Sequence, residues 1–88
     1  MGRTARGLVL PSEVKMDAQD EVAVLKRFHR LARTGRLSEL REGVGLSQSD
    51  VARYLAVTPS AVSRWEAALT HPRPNRAAKL LELLDADA

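Results

Sequence analysis

The chain has no cysteine and few aromatics, with one Trp, one Tyr and one Phe among 88 residues. The first absence excludes disulfides, thiolate metal sites and cysteine nucleophiles, and suits a reducing interior. The second calls for a core of aliphatic side chains. Long apolar runs are missing as well. Near the N-terminus the longest is Leu8-Val9-Leu10, far short of the ~20 residues of a membrane span and of the roughly 7–15 of a secretory signal core. No membrane partner is expected, and the cytoplasm is the expected location. Arg6 stands where a myristoylated Met-Gly terminus would want serine or threonine. His29 and His71 are the two histidines, and neither has a second ligand at helical spacing, so no metal or other cofactor is expected. No nucleophile elbow or phosphate-cradling glycine loop occurs. A chain of this length buries only about 60–65% of its unfolded surface, which leaves little room for a substrate cavity. An enzyme is not expected.

What is present is positive charge, unevenly placed. The net charge is +3. Between positions 26 and 41, Lys26, Arg27, Arg30, Arg33, Arg36 and Arg41 face a single acid, Glu39. The window 47–66 is neutral, and the C-terminal end turns acidic through Glu82, Asp85 and Asp87. Such a gradient orients a molecule in the field of a charged partner.

Hydrophobic spacing predicts an all-α chain, a compact bundle of about five helices with no strand-like alternation. Residues 1–16 read as a flexible basic arm, whose Arg3 and Arg6 could follow a phosphate backbone or enter a minor groove. Residues 17–88 read as one helical domain. From Asp17, the residues Ala18, Val22, Leu25, His29 and Ala32 recur at spacings of three and four, with Phe28 flanking. Leu37, Leu40 and Val44 mark a second helix that Gly45 ends. Ser47-Gln48-Ser49-Asp50 is a capping box, and Val51, Ala52 and Leu55 form the buried stripe behind it. Thr58-Pro59 opens the next helix, with threonine as cap and proline at the first helical position. Val62 and Trp65 point inward from it. Leu80, Leu81, Leu83 and Leu84 of a last helix complete the predicted core.

Only Ala56 and Val57 separate the two capped helices. Helices joined so tightly cross steeply and leave the outer face of the second one free, and such a helix fits the roughly 12 Å major groove of B-DNA. Residues 46–66 resemble the helix-turn-helix of the Cro and lambda-repressor class, the XRE family of prokaryotic and phage transcription regulators. Leu46-Ser47-Gln48 is similar to the family's opening. Val51-Ala52, Leu55, Val57, Val62-Ser63 and Trp65-Glu66 fall in register without a gap. Pro72 and the leucine-rich tail sit where the family places its loop and closing helices. The likeness spans about residues 36–85.

The resemblance implies a lambda-repressor-like DNA-binding domain with its motif at 47–66 and its recognition helix at 58–66. It directs Ser60 and Arg64 toward base edges, and gives Pro59 and Ala61 apolar contacts such as a thymine methyl. An arginine bonded bidentately to guanine is worth about 1–3 kcal/mol of discrimination. Gln48, beside Ser49 at the start of the preceding helix, would grip the backbone and buttress the recognition helix. Thr58 and Ser63 would meet phosphates. Trp65 would lie in the core and Glu66 in an internal ion pair. The family carries glycine where this chain has Ala56 in the turn and Ala68 after the recognition helix. Alanine in the left-handed conformation costs about 1 kcal/mol, so strain or a changed turn is expected.

The function implied is sequence-specific binding of double-stranded operator DNA by a transcriptional regulator, a small repressor of phage or bacterial type. Homodimers of the family place half-sites about 34 Å apart; here the helix at 17–33 or residues 7–10 could join the copies, and a monomeric binder is the alternative. Two alternatives use the same fold. One is an antitoxin or other protein-interaction module with a toxin as partner, and the other an architectural or recombination-directionality protein that bends DNA.

Overall fold

Three helices begin where a small polar side chain takes up a free amide. The computed structural model describes residues 16–84. Asp17 accepts from the Asp20 amide at 2.8 Å and opens α1, Ala18–Arg33. Ser47 opens α3, Gln48–Leu55, with both halves of the capping box formed: its hydroxyl accepts from the Asp50 amide at 3.0 Å, and its own amide donates to Asp50 Oδ2 at 2.9 Å. The Ser47 amide first, then the Ser47 hydroxyl beside the carboxylate and Arg53, hold the Asp50 carboxyl below the ordinary carboxylate pKa. Thr58 opens α4, Pro59–Glu66, by accepting from the Ala61 amide at 3.1 Å. Between them lies α2, Arg36–Gly43, entered through Gly35 at φ 78. The last helix, α5, Pro74–Leu83, starts at a proline. Among the described residues the bundle is all-α with five helices, as expected, and none of the five is long and apolar enough to cross a membrane.

Three of these helices close in the same way. After α2 the Leu46 amide donates to the Arg41 carbonyl at 3.1 Å, after α3 the Val57 amide to Ala52 at 2.9 Å, and after α4 the Leu69 amide to Arg64 at 2.9 Å. Each is the long bond of a Schellman closure, which needs one residue at positive φ. Gly45 supplies it at φ 77, but Ala56 at φ 59 and Ala68 at φ 61 supply it in the other two. The glycine-to-alanine departures therefore leave the turn in its left-handed form, with the strain retained. From α5, Arg76 Nε donates to the Leu55 carbonyl at 2.9 Å, satisfying one of the groups that the end of α3 leaves open.

The core is aliphatic apart from one aromatic pair, Phe28 and Trp65, which meet edge to face with centroids 6.2 Å apart. Around it lie Leu37, Val51, Ala52, Leu55, Val62, Ala77, Leu80, Leu81 and Leu84, all buried. α3 packs on α4, α5 covers α3, and α1 crosses over α5, α2 and α4. On α1 the buried side differs from the expected stripe. Phe28 and Ala32 are buried and Val24, Leu25 and Leu31 partly so, whereas Ala18, Val22 and His29 are exposed. Residues 18–23 pack on none of the described residues, whereas the helix from Val24 onward lies on the core, so the spacing in its first turns does not report burial. Val44, expected beside Leu37 and Leu40, is likewise exposed.

Candidate nucleic-acid interface

Burial divides α4 into two sides. Val62 and Trp65 are in the core, and Pro59, Ser60, Ser63 and Arg64 are exposed. At 100° per residue, Ser60, Ser63, Arg64 and Ala67 fall on the side opposite Val62 and Trp65. Ala67, exposed just past the helix end, extends this row by one turn and was not singled out from sequence, although the helical period would have found it. Ala61 sits at the margin, half-buried against the core. Thr58 is exposed, and its oxygen already serves the helix cap. Its hydroxyl proton is not used by that bond, so a cap and an outward donor coexist in one side chain.

The inward edge of α4 is held by charge. Arg41 on α2 donates to Glu66 through Nε at 2.6 Å and Nη2 at 3.1 Å, and through Nη1 to the Leu46 carbonyl at 2.9 Å. Gln48 Nε2 on α3 donates to the same carboxylate at 3.0 Å. The side chains are 11% and 9% exposed for Arg41 and Glu66. The hydrogen bond to Glu66 raises the Arg41 pKa further above its ordinary value, so this guanidinium stays cationic. Three elements thus meet on one carboxylate. Glu66 does form the expected internal ion pair, and Gln48 does lean on α4. Arg41 as the partner was missed: it counted as one more member of the basic cluster. Nothing in the local pattern links positions 25 residues apart, and only the fold brings them together.

The electrostatic result bears on any polyanion. Glu66, the acid of α4, is neutralised and turned inward, while Arg64 on the outer side makes no ion pair among the described residues. Ser49 is exposed at the start of α3, next to the half-buried Gln48. Asp50 there is occupied by the cap and by Arg53 at 3.7 Å. Of the residues singled out from sequence, Gln48, Ser49, Thr58, Pro59, Ser60, Ser63 and Arg64 keep surface on α3 and α4, and Ala61 keeps less. Arg3 and Arg6 lie outside the described residues. No group of three or more histidine, aspartate or glutamate side chains that could hold a metal occurs among the described residues.

The family model described as helix-turn-helix matches residues 37–88, more than half of the chain. The match begins inside α2, so α1 lies ahead of it. No curated protein and no solved structure matches the chain at a significant level. A capped helix pair joined by a left-handed turn, its second member open on one side, is the unit that this family is named for, and the chain belongs to the helix-turn-helix family of the XRE and lambda-repressor type, whose members are DNA-binding regulatory domains.

Proposed function

We propose that the protein is a sequence-specific regulator that binds double-stranded operator DNA in the cytoplasm and represses by occupying a promoter, with no catalytic step of its own. The observation that carries this reading is the outer side of α4, where Ser60, Ser63 and Arg64 are exposed and the acid of the same helix is withdrawn into a pair with Arg41. In the major groove, Arg64 reads a guanine edge while Ser60 and the apolar Pro59 and Ala61 lie along neighbouring bases. Small side chains on this helix permit close approach and make few hydrogen bonds to bases, so duplex shape adds to selectivity. Ser49, Gln48, Thr58 and Ser63 bond phosphates and set the register, as backbone contacts do in most protein–DNA complexes. Arg3 and Arg6 add further backbone contacts. Each neutralised phosphate steepens the fall of affinity with salt by about 0.9 in the logarithmic slope. A phage or bacterial operator is the expected target.

Amide NMR of the full chain titrated with a duplex carrying a selected site tests the reading. The largest shifts are expected at residues 48–49 and 58–64, with α5 and the α1 surface little affected. Shifts confined to α1 or α5, or none at all, would overturn it in favour of a protein-interaction module.

A further inference from the structure

Two members of the basic run at 26–41 are spent inside the chain: Arg41 meets Glu66, and Arg36 pairs with Glu39 at 3.2 Å. Lys26, Arg30 and Arg33 have no such use. All three are exposed on α1, and none makes an ion pair or a side-chain hydrogen bond among the described residues. At 100° per residue they fall within about 60° of one another and form one row. The acids of α1, Asp20 and Glu21, stand in its first turn, off that row. Outside the described residues, Arg3, Arg6 and Lys15 balance Glu13, Asp85 and Asp87, so the described ones carry the whole net charge of +3. The direction of the row follows from the core. Phe28 lies about 140–160° round α1 from each of the three cations, and Ser60 and Ser63 lie as far round α4 from Trp65. Phe28 and Trp65 meet with centroids 6.2 Å apart. The row and the outer side of α4 therefore look away from each other, across a body 24 Å in its shorter extents.

We propose that this row is a second duplex-binding surface, by which a chain seated on one DNA segment through α4 holds another segment by its phosphates. The inference rests on the reading of α4 given above. At 1.5 Å per residue the row runs for about 10 Å, alongside about three phosphates of one strand at 3.4 Å each. The persistence length of a duplex is about 500 Å, so one segment does not bend round so small a body to meet both sides. The same side of α1 offers Gln19, Val22, Ala23 and His29, with no aromatic or leucine to enter lipid or fill a protein pocket. Charge is what it presents, and a polyanion is what fits. Phosphate contacts carry no sequence information, so the second segment is held whatever its bases. The row also lies outside the matched region 37–88, as an addition to the domain.

Beads carrying a selected operator duplex, loaded with the full chain and offered a long labelled duplex without the site, test this. The second duplex is expected to be captured in proportion to the protein retained. Capture per retained protein should fall about fortyfold between 50 and 200 mM salt, as three phosphate contacts require. Lys26→Gln/Arg30→Gln/Arg33→Gln keeps the helical signal in circular dichroism, because glutamine forms helix about as well as lysine and arginine. It should leave retention on the operator within about twofold and lower capture by about tenfold or more. Wild-type protein retained without a second duplex overturns the proposal alone. Equal capture by the triple variant also overturns it, since copies would then bridge through one another, and so does a variant that loses operator retention together with capture. Phosphatidylserine vesicles or polyglutamate retained where the duplex is not would overturn it in favour of another partner. A chain that is not retained on the operator at all would contradict this proposal and the reading of α4 together.

Discussion

Ala56 and Ala68 hold the backbone at φ 59 and φ 61, where a side chain at Cβ meets the following carbonyl. Both do so because the Schellman closures of α3 and α4 demand a left-handed residue, whatever its type. Glycine would relieve the contact while costing something through a freer unfolded chain. The balance at a positive-φ site favours glycine, so Ala56→Gly and Ala68→Gly should each stabilise by about 0.5–1 kcal/mol. In a domain of this size that corresponds to a rise in Tm of roughly 2–8 °C, read by thermal unfolding. A fall in Tm would mean that the turn is not strained as described. The Arg64 side chain makes the opposite case, with no ion pair or hydrogen bond among the described residues. Its removal should leave Tm unchanged and act on DNA alone.

At the level of elements, α4 is positioned by one shared carboxylate. Removing one partner of a buried pair leaves the other charge without compensation, at a cost of about 3–5 kcal/mol. Glu66→Ala also orphans Gln48 Nε2, and Arg41→Ala frees the Leu46 carbonyl. Each single substitution should therefore destabilise by about 3 kcal/mol, the low end because slight exposure remains. The double substitution Arg41→Met/Glu66→Met should lie closer to wild type in urea unfolding than either Arg41→Ala or Glu66→Ala. Equal and additive losses would show that the two side chains do not act as a unit. The same elements show what could be read beforehand. Helix starts were legible because Asp17, Ser47 and Thr58 act on amides three residues away, and local chemistry is written locally. The outward residues of α4 followed from one period counted off Val62 and Trp65. The side that α1 buries was not legible, since two stripes compete on that helix and, among the described residues, only those from Val24 onward pack on the core to choose between them. The roles of Arg41 and Arg76 depend on contacts across 25 and 21 residues, which no local spacing reveals.

For the whole molecule, the arrangement fixes one helix from behind: Arg41 holds Glu66 inward, and on the outer side of α4 Arg64 makes no ion pair among the described residues. A recovered site with inverted half-sites would report two copies on one duplex. The claim on which the account rests is that α4 reads bases, and its direct measurement is selection of bound duplexes from a random pool by wild type and by Arg64→Ala. Wild type should recover a consensus containing a strongly preferred guanine. Arg64→Ala should lose preference at that position alone, by about 1–3 kcal/mol in discrimination. A pool without consensus, or a variant weakened equally on every sequence with the guanine preference intact, would contradict it.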